Sequence, residues 1–458
     1  MVTDLNRVLK MGNRVEMFID DYLVGLKKNV TIRMNSPQKR EVALFMDKPW
    51  EGESSGVYSV VFKDKDIFRM FYRATFPDNI DDRSINQGCA YAESRDGINW
   101  ERKNAGIFEY EGQDTNIVFT GSNAHNFSPF YDTNPECPDD ERYKAIAGHH
   151  PEGLAGYKSA DCIHWEPVSS KALITKGAFD SQNIVFYDIN YNRYVCYSRY
   201  FTDPIGELKE NKRIRAIQYN YSDDFINWTE PEPNSYDASM PIEHFYTNST
   251  VLCPGAEHIY LSLPMRFVPD RHKIMEHKHK GVSDNIIMTS RDGRKWDRFL
   301  GDSWLRPGLD QRNWTQRNLI AAQGILETGD EFSMYVNENY EWDTSCIRRI
   351  TIPRHRFGSM YADRFGGVFS TKKFLFEGNR LALNYSTSAP GSIKVGIFDE
   401  NGWPVAGHTI EECDVIFGDE LVKHVSWKND ADLGFLRGRP VSLRFELKEA
   451  DIYSIQVC

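Results

Sequence analysis

The chain has 458 residues, of which 40% are hydrophobic, 26% are charged and 13% are aromatic. This composition is typical of an ordered globular protein, and the length predicts one to three domains. Acidic residues outnumber basic ones by 66 to 55 and give a formal net charge of −11. Such a surface is not expected to attract nucleic acid or an anionic membrane.

The beginning of the sequence predicts a cytoplasmic protein. Residues 1–14 are mostly polar and contain no apolar stretch of the kind found in a signal peptide. No segment reaches the roughly 18 to 20 apolar residues that a membrane span requires. The eight cysteines occur singly and form no Cys-x-x-Cys pair, which excludes a zinc ribbon and a thioredoxin-type motif. A chain whose leader had been removed would look the same, so export stays open.

A seven-residue pattern, Ser-x-Asp-x-x-x-Trp, occurs four times, at 94–100, 159–165, 222–228 and 290–296. Successive tryptophans, at positions 100, 165, 228 and 296, are 65, 63 and 68 residues apart. A regular period of this size indicates a repeated structural unit. Ser and Asp side chains bind nearby backbone amides and Asp-Gly permits a positive φ, so each copy predicts a tight hairpin turn. The tryptophan is expected to begin the next strand and to pack over the turn.

Short runs of β-branched and aromatic residues flank every copy of this turn. Residues 57–62 and 67–73, for example, are separated by a polar tetrapeptide, and the same arrangement recurs in the later repeats. Four antiparallel strands in each repeat, arranged radially, predict a β-propeller, and the near absence of helical periodicity argues against an α/β barrel. We predict five blades, at about 42–111, 114–176, 179–233, 244–299 and 313–359.

The pattern changes after about residue 366, where short alternating strands are separated by Gly and Asn. This segment predicts a β-sandwich of the jelly-roll type. The predicted fold is therefore all-β, with a five-bladed β-propeller at 1–360, including N-terminal strands at 1–41, and a jelly-roll-like β-sandwich at 361–458. We expect the sandwich to cover an edge of the propeller, with sugar binding as the alternative.

Five blades followed by a sandwich resemble the five-bladed propeller glycoside hydrolases of families 32, 43, 68, 117 and 130. The repeated turn resembles the Asp-box of sialidases, which has a structural role far from the active site. Segments 17–23, 48–52 and 125–130 are similar to bacterial proteins grouped beside family 32, although the Asn-Asp-Pro-Asn and Arg-Asp-Pro signatures of that family are absent. The resemblance implies a carbohydrate substrate bound in a funnel at one end of the propeller channel.

Polar and acidic side chains precede the first apolar strand of each predicted blade, where a core would not need them. In a propeller these positions face the funnel. We therefore predict ten substrate-binding residues: Trp50, Glu53, His125, Asn126, Gln182, Asn183, His244, Tyr246, Asn248 and Arg317.

Cleavage of a glycosidic bond requires two carboxyl groups, one as general acid and one as nucleophile or base. Glu243 is the predicted acid, Asp180 orients it or holds charge beside it, and Glu51, with Glu53 as its substitute, is the base or nucleophile. The alternative for each is an ordinary loop or turn acid. Families 32 and 43 place acids on blades one, two and three, whereas blade two here offers amides and a histidine instead.

The leading functional hypothesis is an exo-acting glycoside hydrolase that degrades a small oligosaccharide. No organic cofactor and no metal ligand set is predicted, although a structural ion in the channel stays open, and a homo-oligomer is compatible with the appended domain. A phosphorolytic or sialidase-like glycosidase is one alternative and would need an arginine cluster, for which Arg73, Arg199, Arg266 and Arg317 are available. A carbohydrate-binding propeller without turnover is the other. The basic tract 271–280 is expected to be a solvated loop, a lid or a subunit contact.

Overall fold

The prediction of an all-β protein is confirmed. A computed structural model describes residues 8–77, 86–149, 151–202 and 213–458. These residues form β-strands and four short 3-10 helices, Ser122–Asn126, Asp139–Glu141, Gln311–Trp314 and Gly434–Leu436, and contain no α-helix. The chain divides into two compact units, one of Pro37–Thr351 and one that joins Met1–Ser36 to Ile352–Cys458.

The larger unit contains five successive antiparallel sheets, here called blades 1 to 5. Blade 1 consists of Val60–Asp64, Ile67–Thr75, Gln87–Ser94 and a broken outer strand, Glu101–Arg102 and Ile117–Thr120. Blade 2 consists of Ser128–Tyr131, Tyr143–His149, Gly153–Ser159 and Glu166–Pro167. Blade 3 consists of Ile184–Asp188, Arg193–Phe201, Arg215–Ser222 and Glu232–Pro233. Blade 4 consists of Val251–Cys253, Ala256–Ser262, Met288–Ser290 and Lys295–Asp297, joined by Ser235–Tyr236. Blade 5 consists of Leu326–Thr328, Glu331–Glu338, Cys346–Pro353 and Gln38–Phe45.

Two small sheets complete this unit. His244–Phe245, Met265–Val268 and Val282–Asn285 form a three-stranded sheet that extends blade 4. Glu109–Tyr110 and Gln113–Asp114 form a short hairpin within the broken outer strand of blade 1.

The outer strand of blade 5 comes from the beginning of the unit. Gln38–Phe45 pairs antiparallel with Cys346–Pro353, so the first and last parts of the unit share one sheet. The sequence interpretation assigned residues from 42 onward to blade 1, and the structure corrects this assignment. The pairing covers an edge of the last sheet that would otherwise expose unpaired backbone groups.

The first strands of all five blades surround one channel. A cavity of about 420 Å³ is lined by residues of each, including Val60, Phe130, Phe186, Val251 and Leu326. Apolar clusters join neighbouring blades outside the channel: one contains residues of blades 5 and 1, and others those of blades 1 and 2, 2 and 3, and 3 and 4. The blades therefore follow one another around the channel in chain order.

The four repeated turns have the predicted hydrogen bonds. In blade 1 the Asp96 carboxylate accepts from the amides of Ile98 and Asn99, both at 2.8 Å, while Ser94 Oγ accepts from Gly97 N at 2.9 Å. The two bonds to the Asp96 carboxylate, with that from Asn99 N foremost, lower the pKa of Asp96 well below its ordinary value. Tyr197 of blade 3 donates to Gly293 O of the blade 4 turn at 2.9 Å, and its ring contacts Trp296 at 6.0 Å. The turns therefore dock each blade onto the preceding one and lie away from the channel.

The smaller unit is built on one eight-stranded sheet with two long strands, Leu381–Phe398 and Ser442–Val457. The other strands of the unit are Leu9–Gly12, Glu16–Met17, Val24–Lys28, Thr31–Met34, Gly358–Ala362, Gly367–Thr371, Phe374–Phe376 and Asp419–His424. Because Val24–Lys28 and Thr31–Met34 pair with strands of the C-terminal segment, residues up to 36 belong to this unit and not, as the sequence interpretation had it, to the propeller. Leu9–Gly12 and Phe374–Phe376 pair in parallel as a separate two-stranded sheet, while the other eight strands form the large sheet, and a jelly-roll topology stays a prediction.

Candidate active site

Buried amide side chains close the channel beneath its mouth. Gln182 Nε2 donates to Ala321 O at 3.0 Å, and Gln182 Oε1 accepts from Ser249 Oγ at 2.9 Å, so this side chain links blades 3, 4 and 5. Asn126 donates to Gly148 O at 2.8 Å, and Asn183 donates to Phe179 O at 2.9 Å.

Asn248 behaves in the same way, since its amide donates to the carbonyls of Gln182 and Tyr197 at 3.4 and 3.3 Å. The four amides predicted to bind substrate therefore bind backbone and neighbouring side chains of the channel. The reason is that inward-facing loops leave carbonyl groups without strand partners, and these amides satisfy them.

Glu51, a predicted catalytic acid, lies in a buried ion pair within blade 1. Its side chain is fully buried and binds Arg102 through both oxygens, with Nε–Oε1 at 2.9 Å and Nη2–Oε2 at 2.7 Å. Tyr72 Oη donates to the same carboxylate at 2.6 Å, and burial together with the Glu51 charge raises the pKa of Tyr72. Trp50 is buried beside it and donates to Asn116 Oδ1 at 2.8 Å. These contacts give Glu51 and Trp50 a structural role and leave no access for a sugar.

We expect Glu51→Gln to reduce the free energy of unfolding by about 3–5 kcal/mol, because it leaves the largely buried Arg102 with only the exposed Asp47, 3.6 Å away, as a counter-charge among the described residues. Chemical denaturation of the purified variant measures this loss. Glu53→Gln is the matched control, since the Glu53 side chain is 61% exposed and lies 3.6 Å from Lys278, and it should change stability by less than about 1 kcal/mol. Equal stability of Glu51→Gln and wild type would contradict the structural role.

Glu243, the predicted general acid, is held between two arginines of blade 4. Its oxygens lie 3.0 Å from Arg266 and 3.0 Å from Arg298, and Arg266 also binds Asp284 at 2.6 Å. The structure therefore pairs Glu51 and Glu243 with separate partners. Of the three predicted catalytic acids, only Asp180 contacts the group of residues described next.

Four arginines and three tyrosines from different blades meet at the mouth of the channel. They are Arg73, Arg199, Arg215, Arg317, Tyr58, Tyr246 and Tyr340, here called the arginine–tyrosine cluster. Arg199 and Arg215 stack on the Tyr246 ring at 5.0 and 5.3 Å, and Arg317 stacks on the Tyr340 ring at 5.5 Å. The predicted residues Tyr246 and Arg317 thus come together here. His244 joins them through its Nδ1, which lies 3.4 Å from Arg215 Nη1.

Tyr340 receives two charged hydrogen bonds. Arg73 Nη2 donates to its hydroxyl at 3.0 Å and Arg317 Nη1 at 3.1 Å. The ring is buried, and burial opposes ionisation, yet the charges of Arg73 and Arg317 lower the pKa of Tyr340 below its ordinary value of about 10. This phenol therefore ionises more readily than an ordinary tyrosine.

Asp180 is an exposed carboxylate that binds the arginine–tyrosine cluster. Its side chain is 61% exposed and binds the buried guanidinium of Arg199. It also lines a cavity of about 640 Å³ together with Tyr200, Phe201 and Arg213. A carboxylate beside an open cavity with aromatic walls is placed to meet a ligand.

His125 lies beside the same cluster. Its Nδ1 is 2.9 Å from Gln87 Oε1, and its ring is 5.7 Å from that of Tyr58. Burial, followed by the charges of Arg73 and Arg317, lowers the pKa of His125 to about 3. The imidazole is therefore neutral at ordinary pH and can donate or accept a hydrogen bond without adding charge.

This shift predicts a loss of stability in acid. The unfolded histidine takes up a proton below about pH 6.5 and the folded one only near pH 3, so unfolding becomes more favourable as the pH falls through this window. Replacing His125 by Gln should make stability at pH 4.5, relative to pH 7, about 1–2 kcal/mol less sensitive to acid. Urea titrations at the two pH values measure it. His424→Gln, at an exposed position, should leave the acid sensitivity unchanged, and equal sensitivity in all three proteins would contradict the assignment.

Backbone conformation at the mouth is unusual. Tyr58 and Arg317 have positive φ values of 53° and 53°, a region that costs a non-glycine residue about 1–2 kcal/mol. Asn337 holds this part of the backbone, since its amide donates to Arg317 O at 2.8 Å and accepts from Ile320 N at 2.8 Å. Tyr58 and Arg317 both belong to the arginine–tyrosine cluster.

The basic tract 271–280 contacts blades 5 and 1. His277 and His279 lie 3.5 and 3.7 Å from the buried Glu341 carboxylate, and Lys278 lies 3.6 Å from Glu53. Gln316 donates to Glu341 at 2.9 Å. The tract is therefore not wholly solvated, because His277 is buried.

Sequence reasoning missed Tyr58, Tyr340 and Arg215. One signal was available: aligning the repeats places Arg73 and Arg199 near the ends of the second strands of blades 1 and 3. Tyr340 lies two residues beyond the end of the second strand of blade 5, outside this register. Arg215 begins a third strand, where no comparable regularity exists.

No family model and no curated protein matches this chain. Similar solved structures include a glycoside hydrolase, at 13% identity over 69% of this chain and 92% of that chain, with a TM-score of 0.44. A β-1,2-mannobiose phosphorylase from Listeria innocua is similar at 12% identity over 71% of this chain and 98% of that chain, with a TM-score of 0.44. An N-acetylgalactosamine deacetylase from F. plautii is similar at 14% identity over 72% and 96%, with a TM-score of 0.43. Similarity at this level assigns no family, substrate or mechanism to this chain.

Residues 8–77, 86–149, 151–202 and 213–458 contain no group of three His, Cys, Asp or Glu side chains placed to bind a metal ion. Within the same ranges, no helix has the length and apolar character needed to span a membrane.

Proposed function

We propose that the protein is a carbohydrate-active enzyme that cleaves a glycosidic bond at the mouth of the channel, with Asp180 and Tyr340 as the reacting groups. The observation that carries the proposal is the Tyr340 hydroxyl, which accepts hydrogen bonds from two guanidinium groups of the cluster that also binds Asp180. This replaces the predicted pair of Glu51 and Glu243, which are engaged elsewhere.

The proposed reaction has two steps. In the first, the phenolate of Tyr340, whose proton has passed to solvent, bonds to the anomeric carbon while the bond to the leaving oxygen breaks, and the carboxylic acid form of Asp180 gives its proton to that oxygen. In the second, the Asp180 carboxylate takes a proton from water, the water oxygen bonds to the anomeric carbon, and the bond to Tyr340 breaks. The phenol thus takes the part that a second carboxylate has in most glycosidases.

The cavity beside Asp180 supports a short substrate. Its volume of about 640 Å³ lies within the range of ordinary small-molecule sites, and Tyr200 and Phe201 offer aromatic surface for a sugar ring. An exo-acting enzyme on a small oligosaccharide therefore remains part of the proposal.

The test is product release from a panel of aryl glycosides and short oligosaccharides, analysed by chromatography with purified wild-type protein. Released sugar that disappears in the double variant Asp180→Asn and Tyr340→Phe supports the proposal. Sugars that bind in calorimetry but are never cleaved would overturn it in favour of a carbohydrate-binding propeller.

A further inference from the structure

We infer that the sugar bound by the arginine–tyrosine cluster carries or is accompanied by an oxyanion, such as a carboxylate, that the guanidinium groups of Arg199, Arg215 and Arg317 recognise. The inference rests on the proposed function for the identity of the ligand as a sugar, and it adds the class of sugar.

Positively charged side chains predominate among the described residues at the mouth. Four guanidinium groups meet at the mouth, and two carboxylates, Asp180 and Glu341, lie within reach of them. Asp180 is bound to Arg199, while Glu341 faces Gln316 and the two histidines of the tract 271–280. Among the described residues, positive charge therefore exceeds negative charge at the mouth, although the chain as a whole carries a net charge of −11.

Two arginine side chains at the mouth each have an unused hydrogen-bond donor. Nε of Arg199 and Nε of Arg215 are buried and have no hydrogen-bond acceptor among the described residues. Only 3% of the Arg199 side chain is exposed. A buried donor without an acceptor is costly, and the cost is greater on a charged group. Burial, together with the charges of Arg199 and Arg317, also lowers the pKa of Arg215, because these effects outweigh the opposing charges nearby, among them that of Asp180.

Two of the guanidinium groups are held in fixed orientations by stacking on one ring. The faces of Arg199 and Arg215 rest on the Tyr246 ring, so the orientation of each planar donor group is held before any ligand arrives. Planar guanidinium groups bind carboxylate and phosphate through paired hydrogen bonds, whereas a neutral sugar offers only hydroxyl acceptors. An oxyanion therefore satisfies both the excess charge and the free donors.

The oxyanion could belong to the sugar or to free phosphate that attacks in place of water. The two sources share the same recognition chemistry and differ in the reaction. A carboxylate on the sugar makes cleavage independent of phosphate, and free phosphate makes cleavage depend on it and yields a sugar phosphate.

Thermal shift and calorimetry with defined probes test the inference. The probes are D-glucuronate and N-acetylneuraminate, their neutral counterparts D-glucose and N-acetylglucosamine, and inorganic phosphate and sulfate. We expect at least one acidic sugar or inorganic anion to bind at least about tenfold more tightly than the neutral sugars. We also expect Arg215→Met and Arg317→Met each to weaken that binding by about 10- to 100-fold.

The matched control is Arg193→Met. Arg193 lies at the other end of the strand that carries Arg199, stacks on Tyr221 at 4.0 Å, and also has a buried Nε without an acceptor among the described residues. It should leave anion binding unchanged. Should a Met variant fail to fold, Arg215→Lys and Arg317→Lys keep the charge and should show a smaller loss, because lysine lacks the paired donors.

The outcomes separate this inference from the proposed function. Anion binding that the cluster variants weaken, without cleavage of any glycoside, supports the inference and contradicts the function. Cleavage of neutral glycosides that Arg215→Met leaves unchanged supports the function and overturns the inference. Failure of every acidic sugar, phosphate and sulfate to bind wild-type protein more tightly than the neutral sugars also overturns it. Cleavage that requires phosphate supports the inference with phosphate as the source.

Discussion

Replacing Tyr340 by Phe is expected to reduce kcat/KM for glycoside cleavage by roughly a thousandfold or more, because the variant lacks the oxygen that bonds to the anomeric carbon. The ring remains, so its stacking with Arg317 is kept, while Arg73 and Arg317 each lose an acceptor. Steady-state kinetics with the best substrate of the panel measure the loss, and circular dichroism and thermal melting establish that the variant is folded.

Tyr219→Phe is the control for this prediction. Tyr219 is also buried, and its hydroxyl donates to Glu232 at 2.6 Å, in contacts separate from those of the cluster. It should keep wild-type kcat/KM within about threefold, as expected of a position that touches no substrate. A Tyr340→Phe variant with near-normal activity would remove the phenol from the mechanism.

The lowered pKa of Tyr340 sets the direction of the pH dependence. For aryl glycosides whose leaving groups need no proton from Asp180, the phenolate fraction rises with pH, so kcat/KM should rise with pH along a limb whose midpoint lies below 10. The limb should be missing from the residual activity of Tyr340→Phe. A midpoint above 10 would contradict the effect of the two arginines.

Replacing Asp180 by Asn is expected to reduce kcat/KM by roughly 10²–10⁴-fold for substrates with poor leaving groups, because the proton donor is lost. Aryl glycosides with strongly acidic phenol leaving groups need little protonation and should lose less than about tenfold. Stability should also fall, because the variant leaves the buried guanidinium of Arg199 without its carboxylate partner, and thermal melting measures this change. Kinetics across a series of leaving groups measure the effect.

Glu243→Gln separates this assignment from the one predicted by sequence. Glu243 is bound by Arg266 and Arg298, so its replacement should lower stability while the dependence on the leaving group stays that of wild type. A steep dependence in Glu243→Gln, with a normal one in Asp180→Asn, would return the acid role to Glu243.

Four amide side chains, Asn126, Gln182, Asn183 and Asn248, stand before apolar strands, and their polarity led to the prediction that they bind substrate. The amino-acid sequence does not distinguish a side chain that binds substrate from one that binds a neighbouring carbonyl, as these four do. Both are polar groups at the same position of the repeat, and only the partner differs.

The repeat and the turns could be derived from sequence because they depend on interactions between residues close together in the chain. Ser94 and Asp96 bind amides within three residues, and the alternation of apolar and polar residues defines each strand locally. All-β structure and the repeated hairpins follow from such patterns. The outer strand Gln38–Phe45 does not, since its partner Cys346–Pro353 is about 300 residues away.

The chemistry of the mouth was decided by tertiary structure alone. Arg73 and Arg317 are far apart in the chain and share one phenol, and Glu51 is a buried ion pair because Arg102 of an outer strand folds over it. Charge, burial and pairing depend on distances that cross from blade to blade, and no local pattern encodes them. The amino-acid sequence by itself thus specified the units and their turns, whereas the closing of the blades around a channel selected which charged side chains stay free to act.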